Sequence, residues 1–279
     1  EILDINRAPR IISTPITEAI EEVQYVYDLE AEDDDIATRT GDNITFELVE
    51  APQGMVIDLI TGLITWTPTN EQAAQSHNVV VKVADISDLT DLQQYELFVE
   101  NVNDIPVADA GADQIVNESS IALLDGSNTR DDDLLNPSGE VLTYEWDFDQ
   151  NGIVDATGPK TNLTYNDDKI FNVLLKVTDK AGAISADLTT VEFQNAPPIP
   201  EIVSINPLLG NDLFAGIDLI FIGNAADIGN DTFTFEWNFG DGSTATGQIV
   251  SHTYQTIGTF KVQLKVADDD NGIGIAERE

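Results

Sequence analysis

"TYEWDFDQNGIVD", residues 143–155, can be read in two ways. Asp147, Asp149 and Asn151 alternate, Gly152 follows and Asp155 closes the run, which is how an EF-hand calcium loop opens. An EF-hand, however, lies between two helices and ends on a bidentate Glu at its twelfth position, where this chain has Gly158. Nothing around the stretch has a helical stripe. It therefore reads as a strand followed by a turn, with Asp147, Asp149, Asn151 and Asp155 kept as a secondary metal candidate. The counterpart "TFEWNFGDGS", residues 234–243, retains only Asp241 of those acids, so such a turn forms without an ion.

The comparison of these two stretches exposes a repeat. "TFEL" at 45–48 recurs as "TYEW" at 143–146 and "TFEW" at 234–237. "KVAD" at 82–85 recurs as "KVTD" at 176–179 and "KVAD" at 265–268. An N-x-x-P pattern begins at Asn6, Asn103 and Asn195 and always precedes the other two markers. Segments such as "VQYVYDLEA" (23–31), "SIALLDGS" (120–127) and "FNVLLKVTD" (171–179) alternate with period two. Gly, Pro, Asn and Asp clusters separate them. Modules of this size with about seven strands predict an all-β chain of three tandem Ig-like β-sandwiches. The expected boundaries are 10–103, 104–196 and 197–279, after a linker at 1–9, with the last strand incomplete. Trp146 and Trp237 fall on a central strand and are expected in the core.

The net charge of -39 argues against nucleic acid or an anionic membrane as partner and suits cations. The absence of cysteine excludes a disulfide scaffold and thiolate metal sites. No apolar run is long enough to span a bilayer, so no membrane insertion is expected in this segment. A chain that begins with Glu1 rather than Met is expected to be a mature product or an excised piece.

Sandwich topology gathers the acids. The loops after the second and sixth strands return to the end where the chain enters, and that end faces the preceding module. The linker residues Asn6, Asn103 and Asn195 are therefore expected beside the post-B runs "EAEDDD" (30–35), "RDDD" (130–133) and "NAADIGND" (224–231), which includes Asp227. They are also expected beside the post-F residues Asp85, Asp179 and Asp268. Carboxylates, amides and backbone carbonyls from three segments are the donors calcium takes, six to eight at a time. Magnesium suits a multi-carboxylate set less well, and zinc has only His77 and His252 to bind.

The modules resemble known families. "NITFELVEAPQGMVIDLITGLITWTPT", residues 43–69, resembles the dystroglycan-type cadherin-like domain, and the likeness runs from about Asn6 to Asp104. "ADAGADQIV", "LLDGS" and "YEWDFDQNG", then "FEWNFGDGS" and "HTYQTIGTFKVQLKVADDD", resemble polycystic-kidney-disease (PKD) repeats. The resemblance implies a calcium-bound extracellular array of sandwiches in surface proteins or beside secreted enzymes. It assigns cadherin-like ligand roles to Asp33, Asp35, Asp85, Asn103 and Asp104, and similar PKD positions to Asp131, Asp133 and Asp179. Glu18 and Glu71 are placed in turns at the far end of the first module, where they would complete the next junction. Two departures stand out: Arg7 occupies the place of Asp104 in the first linker, and Asp227-Ile228-Gly229 lacks a second Asp.

A structural or adhesive role follows: a non-catalytic stalk, surface-layer or filament segment at the cell surface. Other copies of the chain, neighbouring surface proteins and glycans are its expected partners. No nucleophile elbow, phosphate loop or metalloprotease helix points to an enzyme. The alternative is a spacer or carbohydrate-binding region of a secreted hydrolase, which would present exposed aromatics on a sheet face. "EILDINRAP" at the start resembles the end of a preceding module, and "GIAERE" stops short of a full strand. These ends are expected of a piece of a longer array, or of an edge that pairs with another chain. Sequons at Asn43, Asn117, Asn162 and Asn230 are candidate glycosylation sites.

Overall fold

The computed structural model describes residues 6–34, 43–135, 137, 139–206 and 215–279. Tandem, mostly antiparallel β-sandwiches account for nearly all of it. Its residues group into two compact units, one of 1–108, 129–143 and 177–185, the other of 109–128, 144–176 and 186–279.

In the first unit a four-stranded sheet has the order Glu18–Ile20, Thr90–Glu100, Gln75–Ala84, Thr45–Glu50. Its first pair is parallel and the rest antiparallel. Tyr25–Asp28, Leu63–Trp66 and Val56–Ile57 form the facing sheet. Period-two alternation does the sorting: Tyr25 and Tyr27 are buried while Val26 is exposed, and Val79, Val81 and Val83 all point inward. They pack with Phe46, Ile64, Trp66, Leu97 and Val99 into one core.

In the second unit Gln114–Asn117 pairs in parallel with Ile184–Gln194, and Ile121–Asp125 pairs antiparallel with Lys160–Thr164. The last sandwich has one sheet of Ile199–Asn206, Asp218–Ala226 and Ile249–Thr253. The other contains Thr244–Thr246, Thr234–Asn238, Val262–Ala267 and Ile273–Arg278. Ile273–Arg278 has 6 residues, against 11 for Ile184–Gln194.

The repeat markers prove to be contacts. The Glu of T-(F/Y)-E pairs across the strands with the Lys of K-V-x-D in every module. The pairs are Lys82 with Glu47, Lys176 with Glu145 at 2.8 Å and Lys265 with Glu236 at 3.0 Å. Such half-exposed pairs contribute about 0.2–1 kcal/mol each and help set register. The linker Asn donates Nδ2–H to the Asp that closes K-V-x-D: Asn6 to Asp85 at 2.6 Å, Asn103 to Asp179 at 2.8 Å, Asn195 to Asp268 at 3.1 Å. The same carboxylates accept backbone N–H groups of the following turn, from Leu89, Ala183 and Gly272. A buried Asp thus ties linker, strand and turn together three times.

Two single-turn 3-10 helices, Asn70–Gln72 and Asp132–Leu135, interrupt the strands. The second arises within "RDDD" because the Asp131 carboxylate accepts the N–H of Asp133 at 3.0 Å, an Asp cap on a tight turn. Among the described residues no helix is long and apolar enough to cross a membrane.

One glycine marks a close backbone approach. A Cβ at Gly274 would stand 2.0 Å from the Pro198 carbonyl oxygen and 2.5 Å from Pro200 Cδ, so the proline linker lies directly on the last strand. Gly274→Ala is expected to cost about 1–3 kcal/mol through forced displacement, read as a lower urea midpoint. An unchanged midpoint would show that the linker is not seated there.

Candidate metal centres

In the first unit the strand Glu18–Ile20 is followed by Glu21, whose N–H donates to Glu100 O at 3.1 Å. Parallel pairing with Thr90–Glu100 holds that strand end at the start of the linker. Glu21 is 3% exposed, and its Oε1 accepts the N–H of Val102. Around it Asp133 accepts from Asn101 Nδ2 at 2.9 Å and from the Asp104 N–H at 2.8 Å, and Asn70 Nδ2 donates to Asp104 at 3.3 Å. Asp131, Asp133 and Asp179 are all buried. Three buried oxygens, Glu21 Oε2, Asn70 Oδ1 and Asp131 Oδ2, have no hydrogen-bond partner among the described residues.

The electrostatics follow from that crowding. Burial, then the charges of Asp133, Asp104 and Glu22, push the Glu21 carboxyl up against the opposing Val102 bond. Burial and neighbouring acids raise Asp104 and Asp131 likewise. Asp179 goes the other way: burial works to raise it, but donors from Asn103, Ala183 and Gly182 outweigh burial and hold it below the usual range.

The second unit repeats the arrangement. Glu118 is fully buried, its N–H donates to Gln194 O at 3.0 Å, and its Oε1 accepts the Ala196 N–H at 2.8 Å. Glu118, Asp227 and Asp231 each bring an oxygen within 4.8 Å of the others. Oε2 of Glu118, Oδ2 of Asp227 and Asp231, and Oδ1 of Asn195 are buried without a partner among the described residues. Burial and then the charges of Glu118, Asp227 and Asp268 push Asp231 up to about 6. Asp270 is pushed up to about 6 by desolvation and then by Asp168, Asp167, Asp269 and Asp231.

In calcium-free buffer these groups bind protons more tightly folded than unfolded. Their stabilising contribution is complete below the unfolded value of about 4 and is lost as pH rises through about 6. Asp125 and Asp241, held at about 2 by Lys160 and by Ser243 with His252, act in the opposite sense and only below about pH 4. The urea midpoint without calcium is therefore expected to rise as pH falls from 7 to about 5. A midpoint that drops steadily over that interval would contradict the clustering.

The sequence-derived candidates are distributed as follows. Asn103, Asp104, Asp131, Asp133 and Asp179 come together in the first unit, and Asn195, Asp227 and Asp268 in the second. Asn6 and Asp85 meet at the first linker, where Arg7 pairs with Asp34 at 3.1 Å beside the half-buried Asp33. Asp35 lies outside the described residues. Glu18 is exposed on its strand, and the buried carboxylate of that turn is Glu21. Glu71 is exposed on the 3-10 turn and lines an open groove with Glu22, Asn70 and Asp132. The sequons Asn43, Asn117, Asn162 and Asn230 are all exposed.

The opening stretch forms a turn knitted by its own side chains. Asp147 accepts from Asn151 N at 3.1 Å and Gly152 N at 2.7 Å, and Asp155 accepts from Phe148 N at 2.7 Å. The carboxylates of Asp147, Asp149 and Asp155 converge within 4.8 Å. In the last sandwich Asp241 instead meets His252 Nε2 at 2.8 Å.

Glu21, Glu118 and Asp231, with Asn70 and Asn101, were not singled out by sequence reasoning. One signal was available: Glu21 and Glu118 are separated by the same interval as Asn6 and Asn103. Each also precedes a left-handed non-glycine residue, Glu22 at φ 58° and Ser119 at φ 58°.

Comparison with known proteins bears on the scaffold. A family model described as "PKD domain" matches residues 103–193 and 195–277, and one described as "Putative Ig domain" matches 8–100. Among solved structures, protocadherin gamma B2 extracellular cadherin domains 1-5 is 17% identical with TM-score 0.44. The match covers 98% of this chain and 59% of that one, so the chain spans about three-fifths of that relative. Mouse cadherin-23 EC22-24 is 16% identical over 98% of both chains, with TM-score 0.41. Human CDH23 EC21-23 is 15% identical over 97% of this chain and 99% of that one, with TM-score 0.47. Because the PKD model alone matches more than half of its residues, the chain belongs to the PKD-domain family.

Proposed function

We propose that the chain is a non-catalytic extracellular array whose inter-module junctions bind calcium and are stiffened by it, serving as a stalk, surface-layer or filament segment. Its modules run over 10–103, 104–196 and 197–279, the first of the dystroglycan-type cadherin-like kind. The observation that carries this reading is Glu118, a fully buried carboxylate with one unmatched oxygen facing Asp227 and Asp231. An uncompensated buried carboxylate is costly, and a cation is the direct remedy. The donors at hand are all oxygen, from carboxylates and an Asn amide, which is calcium chemistry. In the first unit the buried Glu21 is the counterpart of Glu118, with the charges of Asp133 and Asp104 nearby.

A linker whose ligands come from segments on both sides of it loses freedom when the ion binds, so a surface array would hold its reach in calcium. Self-association, contact with neighbouring surface proteins and glycans on the four exposed sequons belong to the same reading. The carbohydrate-binding alternative is disfavoured by Trp66, Trp146 and Trp237, which are 2%, 0% and 1% exposed and donate their indole N–H to backbone carbonyls. The deciding experiment is a thermal melt in excess calcium and in chelator: equal midpoints would defeat the proposal.

A further inference from the structure

One of the four sequons lies on the outer face of a sheet. Asn162-Leu163-Thr164 ends the strand Lys160–Thr164, which pairs antiparallel with Ile121–Asp125. Alternation turns Leu163 into the core and leaves Asn162 and Thr164 exposed on the opposite side. Across the pair, Asn162 stands opposite Leu123 and Thr164 opposite Ile121. These two apolar side chains are 66% and 59% exposed. Residues paired in this way have Cβ atoms about 5 Å apart.

The sheet is also short of a strand. It has two, whereas the corresponding sheets of the other sandwiches have three: Tyr25–Asp28, Leu63–Trp66 and Val56–Ile57 in one, Ile199–Asn206, Asp218–Ala226 and Ile249–Thr253 in the other. Among the described residues Lys160–Thr164 therefore pairs with a strand on one side only. An apolar face that ends in a free strand edge invites pairing with another chain. Neither Leu63–Trp66 nor Ile249–Thr253 contains a sequon. The sheet without a third strand is thus the one with an acceptor asparagine on its face.

The fold engages the other three sequons. In Asn117-Glu118-Ser119 the Ser119 hydroxyl donates to Ile228 O, and Glu118 is fully buried. In Asn230-Asp231-Thr232 the N–H of Asn230 donates to Asn166 O at 2.9 Å and that of Thr232 to Asp269 at 2.9 Å. In Asn43-Ile44-Thr45 the Thr45 hydroxyl donates to Ala84 O at 3.4 Å. Among the described residues the side chains of Asn162 and Thr164 make no hydrogen bond.

We infer that Asn162 carries an N-linked oligosaccharide whose innermost sugars lie over Leu123 and Ile121 and bar the free edge to other strands. The inference rests on the extracellular reading above and deepens it, since it selects one asparagine and gives its glycan a task. The donor is an oligosaccharide linked through phosphate to a lipid. Asn162 Nδ2 forms a bond to C1 of the first sugar and loses one proton. The bond from C1 to the phosphate oxygen breaks, and the lipid phosphate leaves with the electron pair. A sugar ring suits the place because its C–H groups can face Leu123 while its hydroxyls stay in water.

The test begins with the chain purified from the cells that make it. Trypsin cleaves after Lys160 and Lys169 and isolates residues 161–169, in which Asn162 is the one sequon. Mass spectrometry is expected to find this peptide carrying hexose and hexosamine residues. An unmodified peptide overturns the inference and leaves the extracellular array standing, because that reading fails by its own measurement, the melt in calcium and in chelator. The position of the glycan is tested with Asn162→Gln made in the same cells, or with Thr164→Ala should the first fail to fold. The variant is expected to enhance the fluorescence of an apolar dye above the original chain, and Leu123→Ser added to it to abolish the gain. Equal fluorescence of variant and original chain overturns the cover.

Discussion

Calcium at a hundredfold excess over its dissociation constant is expected to stabilise a module by about 2.7 kcal/mol for each ion it gains. For a sandwich of roughly 90 residues this is an increase in midpoint of about 10–20 °C over the same protein in EDTA. The effect has two sources. On the proposed reading the ion would bind only the folded arrangement, in which oxygens of Glu118, Asp227 and Asp231 lie within 4.8 Å of one another. It would also relieve the burial penalty and the like-charge repulsion that together push Asp231 up to about 6. Glu118→Gln separates the two. The amide keeps an acceptor for the Ala196 N–H at 2.8 Å but removes the charge. In EDTA this variant is expected to melt no lower than the original chain, and in calcium to lose most of the increment of its module. A full increment in the Gln variant would place the ion elsewhere; no increment in the original chain would end the calcium reading.

Trp237→Ala is expected to cost about 3–5 kcal/mol, enough to unfold the last sandwich at moderate temperature. The indole is 1% exposed and packs with Phe221, Phe239, Leu264 and Val266. Its Nε1–H donates to Gly247 O at 2.9 Å, so truncation also strips a partner from a backbone carbonyl. Gly223 makes room for it, since a Cβ there would lie 3.1 Å from Trp237 Cζ2 and 2.8 Å from Leu264. The middle module repeats the device, with Gly126 facing Trp146 at 3.3 Å and Leu175 at 2.9 Å, and Trp146 donating to Gly158 O at 2.9 Å. Urea unfolding followed by tryptophan fluorescence of Trp66 and Trp146 would report whether the other modules survive. A loss below about 1 kcal/mol would mean that the indole fills no core, contrary to the range for buried aromatics.

The reading of 143–155 as strand and turn rather than EF-hand was legible because it depended on local facts: no flanking helix, Gly158 at the twelfth position, and a counterpart at 234–243 with fewer acids. The structure gives Thr143–Asp147 as strand and closes the turn with hydrogen bonds to the Asp147 and Asp155 carboxylates. Asp131 and Asp133 were legible as ligand candidates, but not the 3-10 turn that aims Asp133 at Asn101 and Asp104. Glu21 and Glu118 were passed over because a single Glu among 51 acidic residues carries no mark of burial.

By itself the sequence determined the class of fold and its tandem repetition. Strand alternation and the recurrence of N-x-x-P, T-(F/Y)-E and K-V-x-D in a fixed order are patterns of short period or fixed spacing that one chain displays directly. Which carboxylates share a site was decided only by tertiary structure. Glu118 meets Asp231 because parallel pairing of Gln114–Asn117 with Ile184–Gln194 sets that strand end beside the linker, and Gly229 lets the facing loop close. Burial, not residue type, separates these acids from the solvated majority, and burial arises when segments distant in sequence, such as Glu118 with Ala196 and with Asp231, are packed together.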